Sequence, residues 1–283
     1  MKKLTRTLLP ALIFVIGLGV LLYPAVSDLW NQHRQNSLIS SYTETVAQMS
    51  KTDYSDYLEA ARAYNAALKS DLHDAFSGQA PDENDVYWTL LNLDNNGVMG
   101  YIEIPKINVR LALYHGTGED ALQHGVGHLA GTSLPVGGEN THCVLSGHRG
   151  LPSALLFTDL DQMENGDRFY LHVLGDTLAY EVDQVLVVEP DDVSALTIAQ
   201  GQDYVTLVTC TPYGVNTHRL LVRGHRVPLE NPDGQTVSTA RQVARSFGWQ
   251  GKLALALAAL AVVALILAAM RNKTKYKGKH AEH

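Results

Sequence analysis

The two ends of this chain constrain it most. Residues Thr7 to Ser27 carry no charged side chain, and Leu253 to Met270 read LALALAALAVVALILAAM, an apolar run of 18 residues. At about 1.5 Å of rise per residue, each run is long enough to cross a bilayer core of about 30 Å as a helix. Lys2, Lys3 and Arg6 precede the first run, and Arg271, Lys273, Lys275, Lys277 and Lys279 follow the second. Basic flanks stay on the cytoplasmic side, so both termini are expected inside and the body outside, a cell-membrane protein with an extracytoplasmic domain. A cleaved signal peptide is the other reading of the first run, because Ala25-Val26-Ser27 has the small-x-small form of a cleavage site. A buried core helix is the other reading of the second, but the cations behind it fit a stop-transfer segment better.

Charge narrows the partners. Of 22 Lys and Arg residues, 8 lie in the two tails, which leaves 14 against 28 of the 29 acidic residues between them, a net of −14. So acidic a body argues against nucleic acid. The 2 cysteines, Cys143 and Cys210, raise the question of a disulfide in an exported protein. One bridge is a poor framework for a body long enough to bury its own core, and it would consume any thiol chemistry.

Composition divides the chain into a tail (1–6), a first membrane segment or signal anchor (7–27), a helical region (28–96), a β-rich domain (97–228), a polar linker (229–251), a second membrane helix (252–270) and a basic tail (271–283). Within the helical region, YLEAARAYNAALKSDL places Leu58, Ala61, Tyr64, Ala67 and Leu68 at three- and four-residue spacing, an amphipathic face. The helical reading runs to about Leu93, interrupted by a polar loop at about 71–85 that contains Gly78 and Pro81.

From Val98 the period changes. MGYIEIPKINVRLALYHG, THCVLSGH, DRFYLHVLG, TLAYEVDQVLVVEP, YVTLVTC and HRLLVRGHRV are short runs rich in Val, Ile, Leu, Tyr and Thr, punctuated by Gly, Asn, Asp and Pro. Gly175-Asp176 between two of them predicts a hairpin. The fold class is mainly β, a sandwich or closed barrel.

Three of these runs end in reactive side chains. In YVTLVTC, alternation puts Val205, Leu207 and Thr209 on one face and Tyr204, Thr206, Val208 and Cys210 on the other. Thr211-Pro212-Tyr213-Gly214-Val215-Asn216 should turn the chain back, so that Arg219, Leu221 and Arg223 share a face of the returning strand. Arg219 is then nearest Cys210, at the mouth of the barrel. CVLSGHRG brings His148 to another strand end, on the lip of the same barrel if the two strands are neighbours. A lone cysteine at a strand end is as readily packing as catalysis, but His148 and Arg219 in matching contexts favour catalysis. Cysteine supplies a soft nucleophile, an imidazolium can protonate a departing amine, and a guanidinium can stabilise an oxyanion. With ordinary pKa values the thiolate–imidazolium form is only about 1% of the protein, so slow turnover is expected even if Arg219 lowers the thiol.

Other candidates have blander readings. Cys143 lies inside a strand and reads as a buried small residue. His124 and His128 are the one close histidine pair among many, and without a helix beneath them they do not make a zinc site; no metal or cofactor is expected. Thr209 and Thr211 flank the cysteine and are candidates for oxyanion or substrate contacts. Arg149 and Arg223 read as structural, and His218 as hydrogen-bonded within its turn.

TLVTC followed nine residues later by Arg, with SGHRG upstream, resembles the signature of the sortases, cysteine transpeptidases of the outer face of Gram-positive bacteria. GVMGYIEIPKINVRLALYHGT, GVGHLAGTSLPVGG, GHRGLPSALLFTDLD and TCTPYGVNTHRLLVRGHR extend the likeness over roughly Gly97 to Val227 and are similar to class C, the pilus-assembling sortases. The resemblance implies an eight-stranded sortase barrel with N-terminal helices, a lid loop and two flanking membrane helices. Cys210 would attack an LPxTG-like sorting motif between Thr and Gly, with His148 as general acid and base and Arg219 as third catalytic residue. The thioester would pass to a lysine amine of a pilin subunit, or to a cell-wall precursor amine. The class C lid carries Asp-Pro-aromatic; this chain has Asp74-Ala75-Phe76, so Asp74 and Phe76 match and Ala75 departs. Without proline φ is less restricted, so either the lid is looser or this tripeptide is not its anchor and the segment is a solvated loop between helices.

Three other readings stay open. A sortase attaching proteins to peptidoglycan would use the same site. The L,D-transpeptidases also use Cys, His and Arg, and YHGTG at Tyr114 to Gly118 is faintly similar to them, but they place Arg close after a Gly-Cys pair. A non-catalytic membrane-anchored β scaffold would show no turnover.

Overall fold

The computed structural model describes residues 2–68, 81–229, 256–258 and 261, with side chains from Leu12 onward. Asp74, Ala75 and Phe76 lie outside the described residues, as does nearly all of the linker, the second apolar run and the basic tail.

Eight strands close into a barrel in the order β1-β2-β3-β4-β7-β8-β6-β5. They are β1 (Val98–Ile104), β2 (Val109–His115), β3 (Val126–His128), β4 (Thr141–Ser146), β5 (Arg168–Val173), β6 (Asp176–Val188), β7 (Asp203–Thr211) and β8 (His218–Val227). The pairs β2–β3 and β4–β7 are parallel, and the remaining neighbours are antiparallel. Alternation along the strands sorts the two faces. Ile102, Leu113, Leu145, Phe169, Leu171, Leu207 and Val222 fill the interior at full or nearly full burial. The intervening residues Val144, Val208 and Leu221 pack with Leu129 and Leu196 in a second cluster on the outer wall. The core is thick enough to stand without a disulfide, and both cysteines are free.

The hairpin expected at Gly175-Asp176 exists one residue earlier. Val173 pairs with Asp176, and the two turn residues are Leu174 at φ 51 and Gly175 at φ 83. Both are left-handed, as a two-residue turn matched to strand twist requires. A leucine there is costly, and tertiary contacts hold it: Leu174 is buried, and its N–H donates to the Tyr42 hydroxyl at 2.9 Å.

Tyr42 belongs to α1 (Lys2–Gln48), an uninterrupted helix that contains the first apolar run. Its run from Leu12 is long and apolar enough to cross a membrane and is largely uncovered. From Ala25 the same helix turns one stripe to the barrel: Ala25, Asp28, Gln35, Ile39 and Tyr42 are buried, at three-, four- and seven-residue steps. The polar members are all satisfied by barrel backbone. Asp28 accepts the Leu155 N–H at 2.7 Å, Gln35 accepts the Ala112 N–H at 2.8 Å, and the Tyr42 hydroxyl donates to the Met99 carbonyl at 2.9 Å. The apolar run and the barrel-docking stripe therefore belong to one continuous helix.

The second helix, α2 (Lys51–Ala67), starts at a capping box in which Ser50 Oγ accepts from the Asp53 N–H and Asp53 accepts from the Ser50 N–H. Ala61 is fully buried, as expected, but so is Asn65, which clamps both backbone groups of Leu134. Helix does not extend to about Leu93. After Pro81 the chain has only a single 3-10 turn at Val86–Thr89, because Leu91, Asn95 and Gly97 take left-handed φ angles. Tyr87 and Leu91 are fully buried in this irregular segment, so packing against the barrel replaces helical hydrogen bonds.

Candidate functional site

β7 is flanked by β4 on one side and β8 on the other, and this places the three reactive residues. In the parallel β4–β7 ladder Ser146 pairs with Val208, and two residues beyond the end of β4 His148 lines the same cavity as Cys210. In the antiparallel β7–β8 ladder Cys210 is the direct partner of Arg219. Cys210 thus sits between them on the middle strand. All three line one cavity of about 190 Å³, with Thr117, Leu122, Leu129, Ser146, Gly147, Val208 and Thr209 completing its wall.

The cavity is on the outer wall of the barrel, not at its mouth. Val205 and Leu207 face inward and Val208 outward, so the period of two carries Cys210 to the outside, and Arg219 follows Leu221 there. The segment from Thr117 through α3 (Glu119–His124) to Leu129 covers that wall, with Leu122 and Leu129 as its apolar side. Thr117 and Leu129 fall in stretches that carry the family likeness, but Leu122 does not, and nothing local to any of them signals that they cover Cys210. The volume is below the range of about 300–1,000 Å³ usual for sites that enclose a whole small molecule.

The loop carrying His148 is held at several points. The Gly147 N–H donates to the Val208 carbonyl at 3.0 Å, extending the ladder, and the His148 carbonyl accepts the Phe157 N–H at 3.1 Å. Gly147 has no room for a side chain: a Cβ would stand 2.7 Å from the buried ring of Phe157. The Thr209 hydroxyl, buried, donates to the Gly147 carbonyl at 2.7 Å. That hydroxyl is therefore committed to the loop and not offered to an oxyanion. Thr211 Oγ1 accepts from Arg149 at 2.9 Å.

Cys210, His148 and Arg219 are each half-buried. Burial pushes the His148 imidazole below its ordinary value, and the Glu119 carboxylate opposes this in part. Arg219 makes no ion pair among the described residues. Among the described residues its guanidinium reaches only the carbonyls of Asn216 and His218, at 3.4 and 3.2 Å. The turn that positions Arg219 is closed by Val215 and Asn216, whose N–H groups both donate to the Pro212 carbonyl.

The remaining candidates are occupied elsewhere. Cys143 is buried inside the barrel, and desolvation pushes its thiol up, so it is inert. His128 is fully buried between the Tyr87 hydroxyl at 2.9 Å and the Ser133 carbonyl at 2.9 Å, and no cluster able to hold a metal occurs among the described residues. Arg223 is forked onto Asp183 at 3.0 and 3.1 Å and stacked on Tyr204. His218 pairs with Glu189 at 3.2 Å and meets Thr217 within its turn.

The eight-stranded barrel carries Cys210 paired with Arg219 on β8 and His148 in the loop that leaves β4, and comparison with known proteins gives the class: the sortase domain model matches residues 102–227, and the chain belongs to the sortases, a family of cysteine transpeptidases. Its structural neighbours are of class C. A crystal structure of Streptococcus pneumoniae sortase C matches at 49% identity with a TM-score of 0.64, covering 69% of this chain and 99% of that one. Sortase C1 of Streptococcus agalactiae matches at 49% identity with a TM-score of 0.63, covering 69% of this chain and 100% of that one. Sortase D of Bacillus subtilis is 35% identical over 131 residues, which are 45% of this chain and 63% of that protein's length.

Proposed function

We propose that this chain is a membrane-anchored sortase that cuts an LPxTG-like sorting signal between Thr and Gly and transfers the new carboxyl terminus to a lysine amine of a pilin subunit. The observation that carries the reading is the single outer-wall cavity lined together by Cys210, His148 and Arg219. Support for the pilin end comes from the Streptococcus pneumoniae sortase C at 49% identity, whose structure is described in terms of pilin substrate specificity. The apolar run of α1 supports the anchor, with the barrel outside the cell and the N-terminus in the cytoplasm.

In the first half-reaction Cys210 Sγ, as thiolate, attacks the Thr carbonyl carbon. Arg219 donates to the oxygen as it gains charge. The C–N bond breaks as His148 gives its proton to the departing Gly amine, leaving a Thr thioester on Cys210. In the second, the lysine amine attacks the thioester carbonyl, His148 accepts its proton, and the C–S bond breaks to return the thiolate. The same ring serves as acid and then as base. Its depressed pKa makes it a better acid but a scarcer one, which fits a slow enzyme.

Purified chain with a fluorogenic LPxTG peptide tests the chemistry. Parent protein should cleave it, and Cys210→Ala, or treatment with a methanethiosulfonate, should abolish cleavage. No turnover by the parent would favour a scaffold. Pilin presented with and without its acceptor lysine tests the transfer: ladders that depend on that lysine support polymerisation, and transfer only to a cell-wall precursor amine would reassign the enzyme to surface anchoring.

A further inference from the structure

Arg149 follows His148 directly, yet its side chain does not enter the cavity. Its side chain is only 8% exposed. One terminal nitrogen donates to Thr211 Oγ1 at 2.9 Å, and the other donates to Asp161 Oδ2 at 2.5 Å. Thr211 is the residue after Cys210. Asp161 sits in the 3-10 turn Leu160–Gln162, whose Leu160 is fully buried in the barrel core. The guanidinium therefore joins three elements: the loop of His148, the strand end of Cys210, and a turn rooted in the core.

We infer that Arg149 is a positioning residue, whose guanidinium sets the separation between the His148 imidazole and the Cys210 thiol. The inference rests on the roles proposed above for those two side chains. The other polar ties of the His148 loop run elsewhere: Gly147 to Val208 and Thr209, His148 to Phe157, and Gly150 to Thr158. Among the described residues Arg149 is the one polar link from this loop to the residues that follow Cys210. The Tyr213 ring also lies near this loop, since a Cβ at Gly150 would stand 3.1 Å from it.

The residue type is informative. Two acceptors on different elements, lying at different nitrogens, require a planar fork with fixed spacing, which a lysine ammonium does not offer. Arg149 Nε is buried without a hydrogen-bond partner among the described residues. Its two terminal nitrogens carry both hydrogen bonds, so the fork and not the whole guanidinium makes the link. A displacement of about 1 Å between reacting groups lowers rate on the order of 100-fold.

The test uses the full-length chain in detergent, with two readouts: steady-state cleavage of an LPxTG peptide, and the pH profile of Cys210 alkylation by iodoacetamide, followed by mass spectrometry. Arg149→Met should lower kcat on the order of 10- to 100-fold with KM near that of the parent. Arg149→Lys should recover only part of the loss. The alkylation profile of Arg149→Met should move toward that of His148→Ala, and Arg149→Met should change nothing further when His148 is already alanine. Should Arg149→Met fail to fold, Asp161→Asn carries the test; it keeps the guanidinium, weakens its anchor, and should shift kcat and alkylation in the same sense. A kcat within twofold of the parent, a loss confined to KM, or an equal alkylation change with and without His148 would overturn the inference. Failure of the parent to cleave the peptide counts instead against the proposed function, and the alkylation comparison still decides whether Arg149 sets the His148–Cys210 relation.

Discussion

Replacing Thr209 by Val removes one oxygen and keeps the β-branched shape that the strand favours. The side chain is 2% exposed, and its hydroxyl donates at 2.7 Å to the carbonyl of Gly147, the residue before His148. Two costs follow. A net hydrogen bond of about 1 kcal/mol is lost, and a carbonyl deprived of its donor in a water-poor site adds a penalty, so the expected destabilisation is about 1–3 kcal/mol. For a folded body of this size that corresponds to a fall in Tm of roughly 2–4 °C per kcal/mol. The loop can also relieve the orphaned carbonyl by rotating, which would carry His148 away from Cys210, so kcat should fall further than stability alone accounts for. Differential scanning fluorimetry and urea melts measure the first effect, and peptide cleavage well below Tm the second. Thr209→Ser, which restores the hydroxyl, should recover most of both. A valine variant with the parent's Tm and kcat would refute the argument that this hydroxyl holds the loop.

Tyr42→Phe should destabilise the protein by about 1–3 kcal/mol, because the phenol links the Met99 carbonyl to the Leu174 N–H and both groups are otherwise buried. A urea melt with unchanged midpoint would show that α1 is not bonded to the barrel as described. The pH dependence of folding has a definite sign. Burial holds His128 down at about 4, below the ordinary value of 6.5, so the unfolded chain takes up its proton first as pH falls. The stability that neutral His128 preserves is fully present above about pH 6.5 and is lost as pH falls toward 4. The loss is on the order of 3 kcal/mol at about 1.4 kcal/mol per pKa unit. His115, depressed by burial in the same way, adds to the trend. Chemical melts between pH 7.5 and 4 should show this decline, and a His128→Gln variant should show a shallower one; parallel slopes would discount His128.

Much of the site's layout is legible in the sequence. The strand-end positions of Cys210, His148 and Arg219 follow from short apolar runs closed by Gly, Pro and Asn, and alternation assigned Cys210 and Val208 to one face. What alternation lacks is an inside and an outside. A two-residue period separates faces without saying which is covered by the barrel, so a site at the rim and a site on the wall read alike. The hydroxyl of Thr209 is similar: its neighbours in sequence suggested an oxyanion contact, whereas its bond goes to a carbonyl 62 positions away in the chain. Arg149 looked structural beside His148, and the partner that gives it a further meaning, Thr211, is equally distant in sequence.

Sequence alone determined a β-rich domain behind a long apolar run, the residue types for thiol chemistry, and a core long enough to need no disulfide, because hydrophobic period and turn residues are local properties. Tertiary structure decided that α1 runs unbroken from the apolar run into the barrel's flank, and that β4 and β8 bracket β7 so that imidazole and guanidinium flank one sulfur. It also decided that Leu122 and Leu129 enclose the resulting cavity. These are long-range pairings, set by which faces must be buried together, and no segment carries that information by itself.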